Sequence, residues 1–320
     1  MNFFKKIITP LFCCFILGSL LWNIDIISTK ITRLLAKNPT YQTSSTSEYK
    51  QTDSFIFVQN TDKFTPLSQK DIKNIFYTIV NNGWNNFTFY CPNEYQECIE
   101  DIKDFSQNQD LLTHINNFVH PYNSFTNIKT TLSETGEVNV NIEYLYDRNQ
   151  LQTINEKIDE IMKQNLTSEM DLQEKIKVLH DYIINNTKYD VTRNENGESK
   201  YQSYIAYGPL FEGFATCNGY TDAMALFLTK LGIKNYKIAT TPTSEAKDTE
   251  GHVWNAVYLE NKWLHLDLTW DDPVSTDNKD YLQHKYFLVN NEALKKADEG
   301  EVEVLEHNFK KNIYLEFKTE

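Results

Sequence analysis

The sequence predicts an α+β fold in which a helix that begins at a cysteine packs on an antiparallel sheet, preceded by a smaller α+β unit. Three observations carry this expectation. Apolar residues recur at helical spacing after Ser68, after Asp171 and again directly after Cys217. Val138, Val140, Ile142, Tyr144 and Tyr146 alternate strictly with polar residues, the period of a strand with one buried face. Two more alternating runs, 251–259 and 262–269, are separated only by Glu260-Asn261, which reads as a hairpin.

The chain starts differently. Lys5 and Lys6 precede an apolar run from Ile7 to Trp22, which continues weakly through Ile24, Ile26 and Ile27. A basic flank before such a run is the arrangement of an export signal. A membrane span takes roughly 20 apolar residues, and the run reaches that length once Asn23 and Asp25 are included. No small-x-small cleavage site follows it, and Phe12 and Cys13 stand where a lipoprotein signal needs a small residue. Residues 1–27 are therefore expected to be an uncleaved single-pass anchor with the body outside; a cleaved signal peptide and a secreted protein are the second reading. Residues 28–54, rich in Ser, Thr, Lys and Gln, read as a flexible tether.

With 320 residues, 40% of them hydrophobic, the chain can bury a substantial core. Its formal charge of -13 repels nucleic-acid phosphates, so nucleic acid is not expected as a partner. Beyond the apolar run three cysteines remain. Cys91 and Cys98 are close enough for a small disulfide loop in an oxidising compartment, but two unpaired thiols fit equally well. Cys217 has no evident partner, which makes it a candidate reactive thiol.

Residues 55–147 are expected as a small α+β domain of unassigned role. Ser68 can cap a helix carrying Ile72, Ile75, Phe76, Ile79 and Val80, ending near Asn82-Gly83. A strand over 87–90, helices over 94–105 and 110–119, and a hairpin of 125–132 with 137–146 complete it. Residues 148–300 form the second unit, with helices over 151–164 and 171–186. A C-terminal strand segment is expected over 301–320.

The chemistry concentrates between Tyr204 and Pro273. Ala223, Phe227 and Leu231 continue as a helix from Cys217, and Gly232 ends it. A helix N-terminus favours the thiolate, the reactive form of cysteine. In the hairpin, a turn at 260 and 261 pairs Leu259 with Lys262. That register puts Asp267 opposite Trp254, one diagonal step from His252. Diagonal neighbours lie roughly 7–8 Å apart, so His252 and Asp267 can hydrogen-bond, and a one-residue slip would separate them. His252, Trp254, Ala256, His265, Asp267 and Thr269 share one face; Val253, Val257, Leu259, Leu264, Leu266 and Leu268 share the other.

Cys217-Asn218-Gly219-Tyr220, then Gly251-His252-Val253-Trp254-Asn255, then Trp263 to Pro273 resemble the core of bacterial transglutaminase-like proteins. Lys285-Tyr286-Phe287-Leu288 looks like that family's following strand. The resemblance covers about Asp171 to Val289. It implies a papain-like arrangement, with Cys217 as nucleophile, His252 as base, Asp267 as orienting group and no cofactor. Asn218 departs from the Gln or Glu common after the family cysteine, and Thr221 from the usual Ala. A protein or peptide substrate follows, attacked at an amide to give a thioester. The backbone N–H of Cys217 would serve as one oxyanion donor, with a second from the loop 204–213.

Two functions of different class fit: a surface acyltransferase or hydrolase, and a non-catalytic surface module that binds protein. The presence of all three residue types favours the enzyme. A metal site of His252, His265 and Asp267 is the minor alternative. Asp271-Asp272 before Pro273 reads as a turn rather than a cation site, and Trp254 as a better cleft residue than Trp270.

Overall fold

The computed structural model describes residues 50–318 apart from 52–53, 134, 241–250, 275–280 and 297–304, together with Ile24, Ser28 and Ile31. The expected export segment and most of the tether lie outside these residues. Among the described residues no helix is long and apolar enough to cross a membrane. Gln51, expected in the tether, is buried: its backbone N–H reaches Asn81 Oδ1 and its side chain donates to the Asn235 carbonyl.

An N-terminal layer forms first. Helix α1 (Gln69–Asn81) starts at Ser68, whose hydroxyl accepts from the Asp71 N–H. Strands β1 (Asn86–Tyr90), β2 (Phe125–Leu132) and β3 (Glu137–Tyr144) make an antiparallel sheet in the order β1-β3-β2. Helices α2 (Cys98–Gln107) and α3 (Gln109–Phe118) lie between β1 and β2 in sequence. Val138, Val140 and Ile142 are buried as their alternation predicts. Cys91 and Cys98 are disulfide-bonded, which settles the open pairing and ties the end of β1 to the start of α2.

The second half opens with α4 (Arg148–Asn165) and α5 (Leu172–Asn185), each begun by a capping box, Asp147 with Gln150 and Asp171 with Glu174. Short β4 (Lys188–Tyr189) pairs in parallel with β5 (Phe214–Ala215), around α6 (Val191–Asn196) and a π-helical turn at Gly208–Glu212. Helix α7 (Cys217–Lys230) packs against β7 of a second sheet: β6 (Asn235–Ala239), β7 (Val253–Leu259) and β8 (Lys262–Leu266), ordered β6-β7-β8 and antiparallel throughout. Glu260 and Asn261 take φ of 51° and 63°, both left-handed as a two-residue primed turn requires. The expected register results: Leu259 faces Lys262 and Asn255 faces Leu266.

The two faces of this sheet separate two cores. Val257, Leu259, Leu264 and Leu266 join Ile154, Ile176 and Phe227 beneath α4, α5 and α7. Tyr236, Ile238, Trp254, Ala256 and Trp263 merge instead with the N-terminal layer, next to Phe55, Ile115 and Phe118. The Phe118 and Tyr236 rings stack at 4.8 Å. The segment 55–147 thus shares one core with the second sheet. A buried ion pair crosses the junction: Lys237 Nζ lies 2.8 Å from Asp222 on α7 and 3.1 Å from the Ser124 hydroxyl, while the Tyr146 hydroxyl donates to Asp222.

Three strand expectations change. The run 262–269 stops at Leu266, because the Asp267 carboxylate accepts the Thr269 and Trp270 N–H groups and starts a short helix, α8 (Leu268–Asp271). Residues 285–288 turn, with Leu288 at φ 51°, and only Val289 bridges to His265. Helix α9 (Asn291–Lys295) follows. In the C-terminal segment the described residues form 3-10 turns at Leu305–His307 and Leu315–Phe317 instead of a strand. Tyr314 and Phe317, three apart, both point into the core on one face of such a turn.

Candidate active site

Cys217 is the first residue of α7 and the free cysteine among the described residues, half-buried at the floor of a cleft. The turn that presents it is tightly fitted. A Cβ on Gly219 would stand 2.2 Å from the Ser203 carbonyl oxygen, so no larger residue lets that loop close on α7. The Thr221 hydroxyl lies 2.7 Å from the Cys217 carbonyl and 3.0 Å from that of Val253, and so ties the cysteine turn to the start of β7. The Asn218 amide donates to the Tyr204 carbonyl at 2.7 Å.

His252 sits one residue before β7, buried, its carbonyl accepting from the Thr240 N–H. Its Nε2 lies 2.6 Å from Asp267 Oδ2. That leaves Nδ1 for Cys217, which lines the same cleft. Burial pushes the imidazolium down, but the Asp267 carboxylate and then Cys217 outweigh it, and His252 is raised to about 10. Asp267 is buried at the end of β8. Burial pushes its carboxyl up, yet His252 and then His307 hold it well below the usual carboxylate range.

Asp267 has four partners. Oδ1 accepts from Thr269 and Trp270 N–H at 3.0 and 3.2 Å, and Oδ2 faces His252 Nε2 and, at 2.8 Å, His307 Nε2. His307 was not foreseen from the sequence. It lies 40 residues past Asp267, in the segment expected as a strand, whose pattern does not connect it to the site.

The three predicted site residues therefore come together. His265 does not join them: its Nδ1 accepts from Trp254 Nε1 at 3.0 Å and its Nε2 bonds Asn291, so the set of His252, His265 and Asp267 is not assembled. Two other groups have ligand atoms within 4.8 Å of one another, His252–Asp267–His307 and His180–Asp181–His284. Trp254 is fully buried, and Trp270 lines the cleft instead. Asp271 and Asp272 close α8, each anchored. Asp271 is held by His180 Nε2 at 3.2 Å and the Tyr286 N–H at 2.9 Å, and Asp272 by the Tyr220 hydroxyl.

A cysteine at a helix start, beside a buried histidine paired with a carboxylate, is the geometry of a cysteine-dependent catalytic centre. Residues 159–268, which contain all three, match the model of the transglutaminase-like superfamily core, and this part of the chain is a transglutaminase-like domain. No curated protein matches the sequence. Among solved structures, a TGase is 15% identical over 51% of this chain and 48% of its own, with a TM-score of 0.34. A candidate cysteine protease from Cytophaga hutchinsonii is 13% identical over 48% of this chain and 64% of its own, with a TM-score of 0.29. The chain thus spans less than two thirds of the length of either structure.

Proposed function

We propose that the protein is an exported, cell-surface acyltransferase or hydrolase that acts on protein or peptide amides through a thioester on Cys217. The observation that carries this reading is the placement of His252, with Nε2 on Asp267 at 2.6 Å and its other side toward the Cys217 thiol. In the resting pair His252 holds the thiol proton. The thiolate attacks the amide carbonyl carbon, and the tetrahedral oxyanion is met by the Cys217 backbone N–H at the start of α7. The C–N bond then breaks, and His252 returns the proton to the departing ammonia or amine. A thioester remains. An incoming amine gives a new amide, and water gives a carboxylic acid; in both cases neutral His252 takes the nucleophile's proton as Cys217 leaves as thiolate, which restores the resting pair.

Among the described residues the cleft is small, about 190 Å³, lined by Tyr189, Cys217, His252, Trp270 and Asp272. That is below the few hundred Å³ of typical small-molecule sites and suits one extended side chain or backbone amide. The test is direct trapping. Glutamine-containing and unmodified peptides are incubated with the enzyme, quenched in acid and mapped by mass spectrometry. The acyl half should appear on Cys217 in the wild type and be absent in His252→Ala. A panel that leaves Cys217 unmodified while an inert binding interaction is detected would refute the enzyme reading.

A further inference from the structure

The Asp267 carboxylate serves two imidazoles. Its Oδ2 lies 2.6 Å from His252 Nε2 and 2.8 Å from His307 Nε2. An ionised carboxylate only accepts, so both rings present Nε2–H to the same oxygen. With Thr269 and Trp270 on Oδ1, each oxygen has two donors and the group has no rotational freedom left.

We infer that His307, supplied by the C-terminal segment outside the matched region 159–268, is a positioning residue of this centre: its Nε2–H holds Asp267 Oδ2 in line with His252. The inference rests on the triad reading proposed above. Apart from His252 itself, Asp267 is otherwise fixed only through Oδ1, by backbone groups of its own short helix. Rotation about that anchor would swing Oδ2 off His252, and His307 closes that motion.

The ring is itself held in place. His307 is fully buried, with Trp254 at 5.2 Å, Trp270 at 5.2 Å and Tyr286 at 4.9 Å between ring centroids. The segment that carries it is pinned on both sides. The Glu306 carbonyl accepts from the Thr240 hydroxyl, and the Tyr314 hydroxyl accepts from the Ala239 N–H at 3.0 Å and the Asn117 amide at 2.8 Å. These contacts fix the direction of the donor, beyond filling space.

A packing role and a donor role make opposite predictions for two substitutions. His307→Phe keeps an aromatic ring in the aromatic box but removes the N–H. His307→Gln loses the ring but can place an amide N–H near the Nε2 position. Alkylation of Cys217 by iodoacetamide is followed in the full-length protein from about pH 5 to 9, per folded molecule as judged by near-ultraviolet circular dichroism, with Asp267→Asn as reference. His307→Phe should be slowed about tenfold or more, by analogy with losing the hydrogen-bond partner that orients a metal-binding side chain. His307→Gln should recover most of that rate. His307→Phe reacting like wild type while Asp267→Asn is slow would overturn the inference and leave the triad standing, and so would a Gln variant as slow as the Phe variant. Wild-type rates in Asp267→Asn would overturn the triad reading itself. Nitrogen-15 spectra of histidine-labelled wild type need no variant: they should place the His307 proton on Nε2 and show it shifted downfield, and a proton on Nδ1 instead would also overturn the inference.

Discussion

At the scale of single residues, the coupling of His252 to Asp267 sets how the protein should respond to pH. His252 is raised from an ordinary value of 6.5 to about 10 on folding. Its contribution to stability is therefore complete below 6.5 and is lost as pH rises through about 10. Asp267 is depressed, so its contribution is present above the ordinary carboxylate range and is lost in strong acid. Urea unfolding at a series of pH values should show the wild type exceeding Asp267→Asn most clearly below 6.5 and above the ordinary carboxylate range, with the gap shrinking toward pH 10. A constant gap would mean that the pair is not coupled. The same pairing should let Cys217 react with iodoacetamide at mildly acidic pH faster than a simple thiol, and His252→Ala should abolish that advantage. Cys217, His252 and Asp267 were legible because each sits where a local rule applies: a helix start, and two positions of one parity in a tight hairpin. His307 was not, since no local rule connects a 3-10 turn to a carboxylate far back in the chain.

At the scale of elements, the hairpin of β7 and β8 carries the site, and its register came from turn length and alternation alone. What alternation could not reveal is where β8 ends. Asp267 satisfies the strand pattern and is also a good cap, and capping two N–H groups prevails. Strand β6 was missed because its central residue is Lys237, a buried charge that breaks the apolar signal. The two sides of β8 should separate by mutation. Leu266 is fully buried against the helical core, so Leu266→Ala should lose roughly 2–5 kcal/mol in denaturant unfolding while the folded fraction keeps its thiol reactivity. Asp267→Asn should instead lose thiol reactivity in its folded fraction, with a loss of stability that depends on pH as argued above. The Cys91–Cys98 bridge closes a short loop; reducing it should cost about 2.5 kcal/mol by the loop-entropy relation, read as a shift in urea midpoint against the Cys91→Ala/Cys98→Ala double variant, which should be insensitive to reductant.

For the whole molecule, the Lys237–Asp222 pair lies at the junction of the two halves, and each partner is almost wholly withdrawn from water. Asp222→Ala strands a buried ammonium and should cost about 3–5 kcal/mol, whereas replacing both with apolar residues of similar size should recover much of the loss. Unfolding of the two single variants and the double variant would expose any failure of that pattern. The sequence suggested two units with a border near 147, and it could not show that they are joined, because the residues that join them are ordinary apolar residues whose partners lie a hundred positions away. The roof that the N-terminal layer places over Tyr236, Ile238, Trp254 and Trp263 has a consequence for how this protein can be handled and how it can evolve. There is no seam to cut along. A fragment starting at 148 would carry every residue of the proposed centre and still present a bare aromatic sheet face to water, a surface prone to self-association. The half that carries the proposed centre is thus not a cassette that recombination or cloning can lift out, and it is inherited only together with the layer that covers it.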